Sequence, residues 1–306
     1  MKVIESVEEM QSYSREIKSQ GKTIAVIPTD ADLHEGHFSL AEIAKDNADT
    51  VVITLGHSQQ ESRMTEKFYE RFLANYKKQV FASDIKKCEQ HNIDVVTHVP
   101  QGSWSHKVSF LEDLIKDKPS SYYIDKTNNN IEQLMSKNIY DVKIVGEILQ
   151  ETDAVSADVV MLGEKDFCQS LIVKAILKDI RPYIKAIIAP TIRFGGTALS
   201  SRNKFLKDLD SVKTDCVYKA LLEVKEELEM SWKSHPSIKE IKRYILKRIK
   251  KGGGSIGYIF ICCSKTLKFL NRMDREAVIL VCANFESSKG MGKYVSILDN
   301  IVVKHK

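Results

Sequence analysis

The chain has 306 residues, 43% hydrophobic and 28% charged, with 46 basic and 41 acidic residues for a net charge of +5. That length suits one large domain or two modest ones around a sizeable core, and the composition excludes disordered, collagen-like and membrane-embedded classes. The lysines fall in scattered groups, for example between Lys247 and Lys251 and between Lys304 and Lys306. That pattern points to solvated helix faces or termini, or to a pocket for anions, and not to a nucleic-acid surface. None of the six cysteines forms a CxxC pair, so reduced thiols are expected, with neither a zinc site nor a disulfide framework. The segment MKVIESVEEM carries charges where a signal peptide needs an apolar stretch, and no apolar run is long enough for a bilayer. A cytoplasmic protein with no membrane partner is expected.

Residues 6–20 (SVEEMQSYSREIKSQ) read as a helix, with Ser6 as cap, Glu9 placed for a capping box and Gly21 as terminator. KTIAVIPT follows as a short apolar strand stopped by Pro28. HEGHFSLAEIAKDN has helical apolar spacing through Phe38, Leu40, Ile43 and Ala44, and DTVVITLG is a β-branched strand. The alternation continues through FASDIKKCEQHN, IDVVTHVP, VKIVGEILQETDAVS, DVVMLG, SLIVKAILKDI and KAIIAPTI. It argues for an α/β fold with a Rossmann-like, doubly wound parallel sheet, whose ligands sit at the carboxyl ends of the strands. The charged stretch 61–79 is expected to be helical and could act as a lid. After Leu206 the composition changes to two lysine- and glutamate-rich helices, a flexible break at Gly252–Gly254, and three strands: SIGYIFICC, EAVILVCANF and YVSILDNIVV. A Rossmann-like domain over 1–190 and a smaller C-terminal α+β domain over 191–306, lying over the active site, are therefore expected.

Three segments carry chemistry. In PTDADLHEGHFSL (28–40), His34 and His37 share one face of a helix that begins near His34, and Gly36 lets a ligand approach the backbone. Imidazole donors at a helix N-terminus suit a phosphate chain and the charge that grows on it in a transition state. Two surface histidines or half a metal site are the bland alternatives. GEKDFCQS (163–170) follows a strand. There Lys165 offers a compact cation for phosphate, Asp166 an acceptor for a ribose hydroxyl or a ligand for Mg²⁺, and Gln169 a neutral group for a hydroxyl or carboxylate. In TALSSRNKFL (197–206), Ser200, Ser201 and Arg202 follow Gly195-Gly196 and suit the grip on a triphosphate, although a helix cap at Ser200 or Ser201 explains them equally.

The three segments in this order resemble the pantoate–β-alanine ligase (pantothenate synthetase) family of the HIGH-motif nucleotidyltransferases. GKTIAVIPT-x₃-LHEGHFSL is similar to that family's GKTIG-VPTMGALHEGHLSL, MLGEKDFCQSL to its YFGEKDxQQL, and TALSSRN to its LAMSSRN. GYIFICCSKTLKFL, AVILVCANF and ILDN look like its C-terminal DY-x₄-D-x-x-T-L, A-x-L-x-x-A and LIDN. The resemblance implies an AMP-forming ligase that adenylates an acid with ATP and passes the acyl group to an amine. It implies that His34, His37 and Lys165 hold phosphates beside Pro28, Thr29 and Gly36. Gly163 and Asp166 would face the ribose, and Ser200, Ser201 and Arg202 would close on pyrophosphate. Gln60 and Gln169 would bind the acid, with Asp30 beside them. ATP and Mg²⁺ as cofactors, and a homodimer joined through the N-terminal domains, are implied as well.

The sequence departs from the pattern around the acid and amine pockets. The family's TMGAL reads TDADL, with Asp30 and Asp32 at apolar and glycine positions. FVNPxQF reads LGHSQQE, the aromatic before GEKD is Leu162, RPGHFxGV has no counterpart, and the YPRT tyrosine is either Tyr69 or Tyr76. Two added carboxylates near a site for an anionic acid should repel it. Two alternatives stay open: an acid or amine other than pantoate and β-alanine, or the usual pair with both aspartates facing solvent or capping the His34 helix.

Overall fold

A computed structural model describes residues 1–56, 80–97, 142–206, 214–230, 237–287 and 293–304. They fall into two compact units. The first comprises 1–56, 80–97, Val142–Gly163 and Val173–Ala189; the second comprises Glu164–Ile172 and the described residues from Pro190 onward. The stretch 61–79, Gln60, Tyr69 and Tyr76 lie outside the described residues.

The first unit is built on six parallel strands: β1 (Lys2–Ile4), β2 (Ile24–Thr29), β3 (Thr50–Leu55), β4 (Val95–Thr97), β5 (Val159–Gly163) and β6 (Lys185–Ala189), in the order β1-β4-β3-β2-β5-β6. The central strands IAVIPT and TVVITL are buried almost throughout, as expected of a sheet covered on both faces. The chain winds outward from β2 through β3 and β4, then restarts at β5 on the other side. The topological switch point therefore lies between β2 and β5, where open α/β sheets bind ligands.

Helices α1 (Val7–Ser19), α2 (Glu35–Lys45), α3 (80–90), α4 (Val142–Val155) and α5 (Phe167–Ile180) alternate with these strands. Ser6 caps α1 by accepting from Glu9 N at 3.1 Å, while the Glu9 carboxylate meets Lys2 at 3.3 Å. Ser14 ties α1 to α4 through Val155 O at 2.7 Å. Pro28 does not stop β2, which runs on to Thr29. The reason is its pairing: β5 partners only Ala25 and Val26, so a residue without an N–H is tolerated at Pro28 while β3 still pairs beside it.

In the second unit, the hairpin of β7 (Arg193–Phe194) and β8 (Thr197–Ala198) precedes α6 (Cys216–Met230) and α7 (Ile238–Lys251). Strands β9 (Ser255–Cys263), β10 (Ala277–Glu286) and β11 (Tyr294–Val303) then form an antiparallel sheet in the order β11-β10-β9. The apolar stripes of both helices close on it in a core around Leu221, Ile245, Ile249 and Phe285. The glycine run after α7 is an ordered helix cap, not a flexible break. Gly254 N donates to Ile249 O and Gly253 N to Lys250 O, with Gly253 at φ 85°, the paired bonds of a Schellman motif. Gly254 is packed so tightly that a β-carbon would lie 2.8 Å from the Phe285 ring.

Candidate active site

The loop leaving β2 is held from below. Thr29 Oγ1 donates to Thr54 O at 2.6 Å and accepts from Ala31 N at 3.3 Å. Gly56 N donates to Thr29 O at 2.7 Å, and a β-carbon on Gly56 would come within 2.9 Å of that oxygen. Ala31 and Asp32 then take left-handed conformations, φ 61° and 55°. For alanine this costs on the order of 1 kcal/mol, so surrounding contacts must impose it. Asp84 and Lys87 of α3 supply them: Asp84 Oδ1 accepts from Leu33 N at 2.9 Å, and Lys87 Nζ donates to Leu33 O at 2.6 Å. Burial raises the Asp84 pKa.

The turn delivers His34 in extended conformation as the N-cap of α2. His34 Nδ1 accepts from Gly36 N at 3.1 Å, and His37 Nδ1 accepts from His34 N at 3.3 Å, a reciprocal capping box made of two imidazoles. Their rings stack with centroids 4.0 Å apart. An Nδ1 that accepts from an amide carries no proton, so both rings are neutral and keep their hydrogen on Nε2. Two N–H donors are thus fixed at the positive end of a helix dipole, a combination that suits an anion.

Glu151 of α4, half-buried, accepts a hydrogen bond from Thr54 Oγ1. Burial first, then the charges of Asp30 and Glu147, push its pKa up to about 8 despite that bond. Asp30 itself is exposed and Asp32 half-buried.

In the second unit, Glu164–Asp166 form a single 3₁₀ turn, with Lys165 Nζ 3.6 Å from Asp166 Oδ2. Asn300 Nδ2 donates to Glu164 O at 2.8 Å and Lys165 O at 3.0 Å. Its neighbour Asp299 accepts from Arg193 Nη2 at 2.8 Å. Gln169 is half-buried in the first turn of α5. Ser200 Oγ accepts from Arg202 N at 3.3 Å, and Asn203 Nδ2 donates to Ala198 O at 3.0 Å, which folds TALSSRN into a compact turn. Arg202 is exposed.

Pro28, Thr29, Asp30, His34, Gly36 and His37 therefore belong to the first unit, as does Gly163 at the end of β5. Lys165, Asp166, Gln169, Ser200, Ser201 and Arg202 belong to the second. Among the described residues no group of three or more His, Cys, Asp or Glu could hold a metal ion.

A family model described as Pantoate-beta-alanine ligase matches residues 2–302. The chain belongs to the pantoate–β-alanine ligase family. It is a carbon–nitrogen ligase. It is 26% identical to the pantothenate synthetase of Thermotoga petrophila, over 92% of this chain and 95% of that protein, and 24% identical to that of Acetivibrio thermocellus, over 99% and 100%. The crystal structure of pantothenate synthetase from Thermus thermophilus superposes with a TM-score of 0.74 at 19% identity, covering all of both chains. A pantoate-beta-alanine ligase from Francisella tularensis, complexed with beta-gamma ATP and beta-alanine, gives 0.61 at 21% identity, covering 100% of this chain and 99% of that one. These likenesses establish the fold.

Against the family's TMGAL, the glycine falls on Ala31, not on either aspartate, and Ala31 keeps the left-handed backbone that glycine favours. Sequence reading missed Asp84, Lys87, Glu151, Arg193 and the roles of Asp299 and Asn300. Only ILDN carried a signal, as one of the family motifs.

Proposed function

We propose that the chain adenylates pantoate with ATP and passes the pantoyl group to β-alanine. The carboxylate of pantoate attacks the α-phosphorus and pyrophosphate leaves; the amine then attacks the acyl carbon and AMP leaves. A carboxylate is a poor acyl donor because its leaving group would be oxide, and adenylation replaces that with a phosphate. The protein's part is positioning and charge stabilisation, so no side-chain nucleophile is needed. The observation that carries this reading is the reciprocal His34–His37 cap, which places two neutral imidazoles at the N-terminus of α2, directly after the loop that leaves β2. In this reading His34 and His37 meet the phosphate oxygens, Lys165 neutralises them, Asp166 and Gly163 face the ribose, and Ser200, Ser201 and Arg202 follow the departing pyrophosphate. Gln60 and Gln169 orient the acid.

Mg²⁺ brought in with the nucleotide would shield phosphate charge. It is commonly held by one or two carboxylates and phosphates, which Asp166, exposed beside Lys165, fits. A homodimer and a cytoplasmic location belong to the same proposal. All six cysteines are unpaired, in keeping with a reducing compartment.

The test is purified protein with ATP, Mg²⁺ and pantoate, followed by β-alanine. Pyrophosphate release that depends on pantoate, and AMP release that depends on β-alanine with pantothenate formed one to one, is the expected outcome. Pyrophosphate without amine-dependent AMP would instead mark a nucleotidylyltransferase. A second reading, a different small acid, is favoured by the exposed carboxylate of Asp30, which stands where the family pattern TMGAL has an apolar methionine. Turnover with another acid far above that with pantoate in the same screen would establish it.

A further inference from the structure

Strand β11 alternates between the core and the opposite face of its sheet. Val295, Ile297, Ile301 and Val303 belong to the core, and Asp299 occupies the same stripe at 2% exposure. A carboxylate there is expensive, and its pKa rises to about 6 through burial even with Arg193 opposite. Apolar side chains often replace such buried pairs with no loss of stability, so packing alone is a weak reason for its presence. Asp299 Oδ1 accepts both from Arg193 Nη2 and from Asn300 N, each at 2.8 Å. The Arg193 guanidinium also lies 3.7 Å from the Tyr218 ring centroid, so it is held on two sides. Arg193 opens the β7–β8 hairpin, which runs directly into Ser200, Ser201 and Arg202.

Asn300, one residue on, faces the other way. Its amide spans two consecutive carbonyls, Glu164 O and Lys165 O, in the turn that carries Lys165. A lysine ammonium rides on a flexible stem, so its placement depends on how firmly its backbone is held.

We propose that Asn300 and Asp299 are positioning residues for the phosphate grip, Asn300 setting the Lys165 turn and Asp299 setting, through Arg193, the hairpin that leads to Ser200–Arg202. One strand thus aligns two segments that are distant in sequence. The inference rests on the phosphate roles proposed above for Lys165 and Arg202.

The experiment is steady-state kinetics of the full chain with ATP, pantoate and β-alanine, comparing wild type, Asn300→Asp, Asn300→Ser, Arg193→Lys and Lys165→Ala. Asn300→Asp keeps the volume and removes both donated bonds; Asn300→Ser covers a failure of the first variant to fold. KM does not depend on the fraction of enzyme that is folded, so a merely structural role would lower apparent kcat and leave KM for ATP alone. KM for ATP should rise about tenfold in the Asn300 variants and several-fold in Arg193→Lys, with KM for pantoate and β-alanine within about twofold of wild type. An unchanged KM for ATP in both Asn300 variants, while Lys165→Ala raises it, overturns the inference and leaves the phosphate role of Lys165 standing. An unchanged value in Lys165→Ala as well overturns both.

Discussion

Replacing Glu151 with glutamine would remove a titration that the fold has displaced. Glu151 sits half-buried under Thr54, and burial together with Asp30 and Glu147 raises its pKa from 4.5 to about 8. The native state therefore holds this proton more tightly than the unfolded chain. Below about pH 4.5 both states are protonated and the site carries no penalty. Between 4.5 and 8 the unfolded chain releases its proton while the native protein keeps it, so stability falls as pH rises; above 8 the loss levels off. The full displacement corresponds to about 5 kcal/mol, and local relaxation that admits water reduces the realised cost to about 2–3 kcal/mol. Glutamine preserves the volume and can still accept from Thr54 without ionising. Urea denaturation at about pH 5.5 and 8.5 should show the variant gaining about 2 kcal/mol relative to wild type over that interval. Parallel stability curves for the two proteins would refute the burial argument.

His34→Asn separates capping from catalysis: asparagine still accepts from Gly36 N, so stability should hold within about 0.5 kcal/mol while pantoate-dependent pyrophosphate release falls about 100-fold. A melting shift that accounts for the whole loss of activity would contradict this. Gly56→Ala pushes a β-carbon to 2.9 Å from Thr29 O and should cost about 1–3 kcal/mol by chemical denaturation. An unchanged denaturation midpoint would mean that the β2 and β3 ends are not packed as described.

Most of the architecture was legible because its signals are local. Strand runs such as TVVITL and SIGYIFICC, the Ser6 cap and the helical spacing in α2 depend on neighbours a few residues away. The ordered motifs, HEGH after β2, GEKD after β5 and SSRN after the hairpin, pointed to the family because their order along one chain is specific. Sequence alone also marked the substitutions at Asp30 and Asp32. Only tertiary structure decided what those residues meet. Pro28 lies inside a central strand because β5 pairing has ended beside it. Gly252–Gly254 form a cap because Phe285, remote in sequence, fills the space next to Gly254. The imidazole pair became two neutral donors once backbone amides were seen to occupy both Nδ1 atoms. Glu151 beneath Thr54, Asp84 behind Leu33, and Asp299 with Asn300 beneath two separate loops are long-range pairings. No local propensity encodes them, because their partners come together only when the strands that carry them are packed.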